Sequence, residues 1–422
     1  MTSAKRHVVV LGSNFAGLTV ARLLRKYAGD KIDITVIDRK DYVLFIPNIP
    51  IEIFANNNPE ETLHFPFVKH LERDGTEFIQ GEVVGIDVDE QTVAYRPTER
   101  AGSATHTLDY DDVVIALGTR LSYDHIDGFE EHGHALSDGY YADELRKYLH
   151  DGDYKGGPIA IGSARFEQGH SPHLPDWFPT AEAACEGPPV EVALSLAAWL
   201  EDHDMGGPEN ITVFTPAELI AEDVGEYLAH QLLEMMGEMG FNYKAGVQDI
   251  ERLTADGIEF ANGEQIEAEL KIVFPDWEPH GFLKSLPVVD DVGFVVSDLR
   301  MRNPDYPNVW TCGDAAALTV PKLGSLGHSQ AEIISREIAY EEGAIDEDER
   351  ADDFWPEVIC MGDFGRNKAF YIHSDVWYGG DKEILKIGRI PYWMKLGFKE
   401  AYVASGGKVP SWGVPMTEFL LE

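Results

Sequence analysis

The sequence predicts an α/β protein with two Rossmann-like domains and a distinct C-terminal region. Two observations predict this class: a strand, turn, helix and strand near the N terminus, and a second such succession that begins at Ile159. Two βαβ units in series are typical of two nucleotide-type domains. A chain of 422 residues is also too long for a single core. We expect a first, discontinuous domain at 1–125 and 290–345, a second at 126–289 and a third region at 346–422.

The first βαβ unit carries a glycine turn of the dinucleotide-binding kind. Its pattern predicts a strand at 8–11, a helix at 12–26 and a strand at 34–37. The turn fits G-x-G-x-x-G except at the second glycine, and a carboxylate that could hold ribose hydroxyls ends the next strand. The predicted dinucleotide-binding residues are Gly12, Asn14, Phe15, Gly17, Asp38 and Arg39.

Later segments distinguish a flavin site from a nicotinamide site. After two strands of a small sheet, at 82–87 and 105–110, a buried parallel strand ends in Gly118-Thr119. The strand and turn that end in Gly313-Asp314 resemble the second flavin motif of two-dinucleotide-domain flavoproteins, whose aspartate binds the ribityl chain. A helix at 329–341 follows, and then an acidic linker at 341–353. These elements predict FAD; the alternative is an ordinary strand that ends in a Gly-Asp turn.

The second βαβ unit lacks a nicotinamide site. Its first strand ends at Gly162, but the helix, expected at 188–200, starts some twenty residues later instead of after a tight glycine turn. The next strand, at 211–215, ends in Thr215 and not in an acidic residue that could hold the ribose of NADH. We therefore do not expect NADH as the reductant, although Arg165 leaves NADPH open.

A cysteine stands where the phosphate loop would be. Cys185 precedes a helix whose first turn contains Pro188, as is common at helix N termini. The partial positive charge there predicts a stabilised thiolate with a lowered pKa. Three cysteines cannot form a disulfide framework, so a disulfide here would be catalytic. The alternative for Cys185 is an inert buried cysteine.

With these elements in view, the chain resembles the sulfide:quinone oxidoreductases, flavoproteins of the FAD-dependent disulfide oxidoreductase type, and most strongly their archaeal branch. The resemblance covers nearly the whole chain. Besides the N-terminal FAD unit and Gly313-Asp314, it rests on the segments 159–163, 168–170, 184–191, 320–324, 358–360 and 377–380.

The resemblance implies that Cys185 and Cys360 meet over one face of the flavin. There they would oxidise hydrosulfide to sulfane sulfur or polysulfide and pass two electrons through FAD to a membrane quinone. A third cysteine that many members carry is missing, since the matching segment at 134–138 contains Ser137 instead. Cys312 lies inside the flavin motif, and we expect it to pack there.

Three further residues are candidates for catalysis. Glu191 follows Cys185 by six residues and could carry protons, or it could be an ordinary surface glutamate. His170 could shuttle protons or merely hydrogen-bond a carbonyl. Lys322, which follows Pro321, could stabilise reduced flavin or a quinone oxygen. No metal site is predicted.

Charge argues against nucleic acid as a partner. The chain has 74 acidic and 34 basic side chains and a net charge of -40. We expect a salt-rich cytoplasm that screens this charge, with a merely acidic protein as the alternative. No 18 apolar residues run together, and the chain enters a strand almost at once, so neither a membrane span nor a signal peptide is expected.

The C-terminal segment is net positive, in contrast to the acidic remainder of the chain. Residues 366–408 carry eight basic and four acidic side chains, with Lys395 and Lys399 among aromatic residues such as Trp393, Phe398 and Tyr402. This pattern predicts a helix on an anionic bilayer surface, which places the protein peripherally on the inner face of the cell membrane. The alternative is a docking helix in a subunit interface of a homo-oligomer.

Three other functions stay open. A type II NADH:quinone oxidoreductase shares the FAD fold but requires the missing phosphate turn. A flavocytochrome-type sulfide dehydrogenase would pass its electrons to a cytochrome. A flavin-bound sulfur or redox sensor would need no third cysteine.

Overall fold

The computed structural model describes residues 5–98 and 102–410. The α-helices of these residues are α1 Phe15–Ala28, α2 Ile49–Phe54, α3 Pro59–Thr62, α4 Val68–Arg73, α5 Phe129–His132, α6 Gly139–His150, α7 Gly187–Asp202, α8 Glu226–Met239, α9 Gly324–Glu341 and α10 Arg389–Ala404. The strands are β1 Arg6–Leu11, β2 Ile32–Asp38, β3 Tyr42–Leu44, β4 His64–Pro66, β5 Glu77–Asp87, β6 Thr92–Pro97, β7 His106–Asp109, β8 Asp112–Ile115, β9 Arg120–Leu121, β10 Gly133–His134, β11 Ile159–Ser163, β12 Ile211–Phe214, β13 Asn242–Lys244, β14 Ile250–Leu253, β15 Gly257–Phe260, β16 Gln265–Glu267, β17 Leu270–Phe274, β18 Trp277–Glu278, β19 Val309–Thr311, β20 Val358–Gly365, β21 Lys368–Ser374 and β22 Glu383–Gly388.

A seven-stranded sheet has the order β19-β8-β1-β2-β5-β6-β7. Its first five strands are parallel, and residues 8–11 of β1 are buried on both faces, as parallel sheets between helices require. The two segments predicted to lie in a small sheet, 82–87 and 105–110, belong to the antiparallel unit β5-β6-β7, which is continuous with the main sheet. Because β5 is one long strand, its first part pairs with β2 and its second part with β6, so β6 and β7 extend the main sheet.

A second sheet has the order β10-β17-β11-β12-β13 and is parallel throughout. Helix α7 connects β11 to β12 and buries most of its residues against this sheet and the C-terminal region. A three-stranded antiparallel sheet, β14 to β16, follows. The predicted α/β class with two Rossmann-like sheets is confirmed.

Helix α9 begins at Gly324, five residues before the predicted start. Glycines disfavour helix, but a Cβ on Gly327 would lie 3.2 Å from the Ala16 Cβ, so close packing against α1 outweighs propensity here. The acidic segment that follows α9 is anchored rather than freely solvated. Glu341 pairs with Arg6 and Arg302, and Asp353 pairs with Arg300.

The C-terminal region contains an antiparallel sheet, β20-β21-β22, that the sequence did not predict. Helix α10 packs across β21, and this corrects the expectation that its basic and aromatic residues face lipid. Lys395 is 3% exposed and Tyr402 is fully buried, whereas Trp393 is 65% exposed. Phe398 packs on the core, stacked on Tyr402. None of the described helices is both long and apolar enough to cross a membrane.

Candidate active site

Two cysteines 175 residues apart in sequence lie at the N terminus of α7. Cys185 precedes the helix, and the Gly187 backbone N–H donates a hydrogen bond to its sulfur. Cys360 lies on β20, and a Cβ built on Gly187 would be 3.0 Å from its Sγ. Both cysteines are free thiols and both are partly buried. The fold therefore brings these two thiols together, and glycine at position 187 leaves room for the second.

The thiols are harder to ionise than the helix position alone predicts. Burial raises the pKa of Cys185 well above its ordinary value, and the nearby Cys360 and Asp223 raise it further. The Gly187 N–H lowers this pKa, but by less than burial raises it. Burial and then Glu191 raise the pKa of Cys360 to about 12. The predicted lowering of the Cys185 pKa is thus wrong for this state, because desolvation outweighs the helix end.

Glu191 is buried in a network of charges beside Cys360, not on the surface. Its carboxylate accepts hydrogen bonds from the Lys395 ammonium at 2.6 Å and from the Asp363 backbone N–H at 2.8 Å. Lys395 also donates to the Met361 carbonyl at 2.8 Å, next to the cysteine. Ser195 completes the network by donating to the Asp363 carboxylate at 2.8 Å. The network joins α7, β20 and α10.

Lys322 lies between the cysteine helix and the Gly313-Asp314 turn. Its backbone N–H donates to the Ala184 carbonyl at 2.7 Å, and its ammonium donates to the Ala316 carbonyl at 2.9 Å. Burial lowers the pKa of Lys322 to about 8, although Asp314 acts in the opposite direction. Burial raises the pKa of Asp314, and Lys322 lowers it. This lysine therefore loses its proton far more readily than an exposed one.

The glycine turn closes tightly on the sheet. Gly12 has φ +94°, and a Cβ there would clash with the Ala116 carbonyl, while a Cβ on Gly17 would clash with the Gly12 carbonyl. Asn14 precedes α1 with φ −81°, so asparagine introduces no backbone strain. Its side chain is exposed, and the following Phe15 stacks on Tyr402. The first and third glycines have the roles that the fingerprint predicts.

Asp38 supports the turn from the end of β2. One of its oxygens accepts from the Ser13 N–H at 2.6 Å and the Ser13 hydroxyl at 2.9 Å, and the other accepts from the Lys40 N–H at 2.9 Å. A carboxylate has about four acceptor positions, so one remains for a ribose hydroxyl. Arg39 is exposed beside it.

The remaining predicted flavin residues lie at the ends of neighbouring strands. Gly118 has φ +66° and, like Thr119, follows β8; Gly313 has φ +67° and follows β19. A cleft here is lined by Gly313, Asp314, Pro321, Lys322, Leu323 and Gln330, among others. Within the described chain no group donates a hydrogen bond to the Asp314 carboxylate, which leaves it available to a ligand hydroxyl. The donor and acceptor set fits FAD.

The second sheet offers no phosphate cradle. Residues 164–186 replace the tight turn between β11 and α7, and Arg165 is paired with Glu182 and with Asp249. His170 lies in this segment; its backbone N–H donates to Asp290 at 2.7 Å and its side chain is exposed. Within the described residues, the His170 ring forms no hydrogen bond with either Cys185 or Cys360. Cys312 is fully buried in the core.

Sequence reasoning missed Lys395, Asp363 and Asp223 as neighbours of the cysteines. All three are charged residues in a strongly acidic chain, where a surface position is the ordinary expectation. One signal was present: Glu191 is a lone charge within the apolar stretch Val190–Trp199, and a buried charge requires a partner.

Comparison of the chain with known protein families and structures agrees with this geometry. Residues 6–152 match the family model described as pyridine nucleotide-disulphide oxidoreductase. The sulfide-quinone reductase of Aquifex aeolicus is 24% identical, over 99% of this chain and 95% of that protein. The crystal structure of the sulfide:quinone oxidoreductase from Aquifex aeolicus superposes with a TM-score of 0.80 at 23% identity, over 99% of this chain and 95% of that one.

Other relatives are similar over less of the chain or less closely. The type II NADH:quinone oxidoreductase of Staphylococcus epidermidis is 28% identical over 36% of each protein. The structure of NDH2 from Plasmodium falciparum, bound to NADH, has a TM-score of 0.65 at 13% identity, over 99% of this chain and 97% of that one. The resemblance stated from the motifs is thus confirmed: this chain is similar to a sulfide-quinone reductase over 99% of its residues and has the fold of the FAD-dependent disulfide oxidoreductases.

Proposed function

We propose that the protein is an FAD-dependent sulfide:quinone oxidoreductase. The observation that carries this proposal is the meeting of Cys185 and Cys360 at Gly187. The backbone of Lys322 links this site to the cleft predicted to hold the flavin. The full-length likeness to a sulfide-quinone reductase supports sulfide as the donor and quinone as the acceptor.

FAD would be held by the glycine turn, by Asp38 at its ribose and by Asp314 at its ribityl chain. The cofactor supplies a two-electron acceptor beside the cysteines. Lys322, which lines the same cleft, would supply a positive charge to the cofactor site. Cys185 and Cys360 would alternate between two thiols, as the structure has them, and a disulfide.

The sulfur chemistry follows from this pair. Hydrosulfide attacks the Cys185–Cys360 disulfide: its lone pair forms a new S–S bond while the old bonding pair leaves on the other cysteine as a thiolate. One cysteine then carries a persulfide. Glu191, hydrogen-bonded to Lys395 beside Cys360, is a proton carrier for this site.

Three apolar side chains are exposed where β22 leads into α10, namely Ile387, Ile390 and Trp393, and we propose that this patch contacts the bilayer. A quinone dissolved in the membrane could then approach the protein through α10. The protein would lie peripherally on the inner face of the cell membrane, in a salt-rich cytoplasm.

An anaerobic spectral titration tests the function. Purified protein in high salt receives sulfide or NADH in separate cuvettes, and then a quinone. We expect sulfide to bleach the flavin and quinone to restore it. Bleaching by NADH alone would instead favour a type II NADH dehydrogenase, in line with the partial likeness to those enzymes. Bound FAD that neither donor bleaches would favour a sensor.

A further inference from the structure

A small, mainly apolar pocket opens beside Cys360. Its lining includes the apolar side chains Val190, Val224, Leu323, Val358 and Phe370. Only two lining groups can carry a proton: the Cys360 thiol and the Asp223 carboxyl. A small sulfur species in this pocket would therefore contact one nucleophile and one carboxyl group.

Asp223 lies in the 3-10 turn Glu222–Val224 and is 6% exposed. In the described part of the chain no side chain donates a hydrogen bond to its carboxylate, which accepts one from the backbone N–H of Asp223 itself. Burial, and then Glu222, raise the pKa of Asp223 to about 7. The other ionisable groups that face it are Glu186, Cys185, Cys360 and Tyr378, and none of these is a cation. Glu191, by contrast, is paired with the Lys395 ammonium.

We propose that Asp223 is the proton acceptor of the sulfide half-reaction, an assignment that rests on the proposed function. Hydrosulfide attacks the Cys360 sulfur of the disulfide, and Cys185 leaves as a thiolate with the old bonding pair. The proton on the terminal sulfur of the Cys360 persulfide passes to the Asp223 carboxylate, and the electron pair of that S–H bond stays on sulfur. The anionic persulfide is the more reactive nucleophile, and Asp223 later releases its proton to water.

Stopped-flow bleaching of the flavin by sulfide tests this role in the holoenzyme. We expect Asp223→Asn to slow bleaching by about 10²-fold, the usual contribution of a general base. Glu226→Gln is the matched control, because Glu226 is an exposed carboxylate three residues further along the chain and does not line the pocket. Added formate should restore part of the bleaching rate of Asp223→Ala, whereas chloride at the same concentration should not. Flavin absorbance and melting temperature verify that each variant is folded.

A second measurement excludes a purely electrostatic role. Removal of the negative charge of Asp223 should lower the pKa of Cys360. In Asp223→Asn, iodoacetamide should therefore alkylate Cys360 faster at neutral pH, while sulfide bleaches the flavin more slowly. Bleaching at the wild-type rate or faster, or no formate rescue, would overturn the assignment. A wild-type flavin that sulfide does not bleach would instead defeat the proposed function, and the assignment with it.

Discussion

At the scale of single residues, the Glu191–Lys395 ion pair is a buried interaction beside Cys360. Both side chains are less than 10% exposed, and their charged atoms are 2.6 Å apart. A buried pair adds little stability over an apolar replacement, but removal of one partner leaves the other charge buried without compensation.

Lys395→Met should therefore lower the free energy of unfolding by about 3–5 kcal/mol. The double variant Glu191→Gln with Lys395→Met should recover most of that loss, because neither member of the ion pair then leaves the charge of the other uncompensated. Urea unfolding monitored by tryptophan fluorescence measures both effects. Lys386→Met, at an exposed lysine of β22, is the control. A single variant as stable as the wild type would show that the pair is not buried in solution.

Residues whose role depends on local backbone geometry could be predicted from the sequence. Gly12 and Gly17 are fixed by a turn of six residues, and Asp38 follows on the next strand. Partners distant in sequence could not be found in this way. Glu191 and Lys395 are 204 residues apart, and nothing local indicates that folding will join them. The Cys185–Cys360 pair came from the family resemblance rather than from spacing.

At the scale of elements, α10 has two different faces. Its inner face carries Met394, Lys395 and Tyr402 into the protein, whereas Ile390 and Trp393 are exposed at its start. The sequence predicted a basic aromatic helix but not its orientation, because both faces carry such residues. Deletion of the helix would remove core residues, so the membrane hypothesis requires point substitutions instead.

The double substitution Ile390→Ser with Trp393→Ser should weaken binding to vesicles that contain anionic lipid, without loss of bound flavin. The reason is the loss of exposed apolar surface that would otherwise enter the interface. Co-sedimentation in high salt measures the binding, and Tyr227→Ser, at an exposed aromatic residue of α8, is the control. Equal sedimentation of the double variant and the wild type would refute a lipid contact at this patch.

At the scale of the whole molecule, the charge of -40 is the dominant electrostatic feature. Self-repulsion of that size destabilises the compact state and is screened by salt, since the Debye length falls from about 10 Å at 0.1 M to about 3 Å at 1 M. The two Rossmann-like sheets followed from the hydrophobic pattern, whereas the antiparallel C-terminal sheet has strands too varied in exposure to be recognised.

The melting temperature should rise as NaCl increases from about 0.1 to 3 M, with most of the rise below about 1 M, where the screening length changes most. Differential scanning calorimetry of the flavin-bound protein measures it. A parallel series in sucrose separates the screening of charge repulsion from the general stabilisation by solutes that are excluded from the protein surface. A melting temperature that does not change with salt would mean that the protein is acidic without depending on a salt-rich cytoplasm.

In the proposed function, electrons from sulfide reach the flavin through Cys185 and Cys360. Anaerobic flavin bleaching by sulfide in Cys185→Ser and Cys360→Ser, compared with Cys312→Ala, tests it most directly. We expect each serine variant to keep its bound flavin and lose bleaching, while Cys312→Ala, altered in the core away from the pair, is bleached like the wild type. Bleaching at the wild-type rate in either serine variant would contradict the claim.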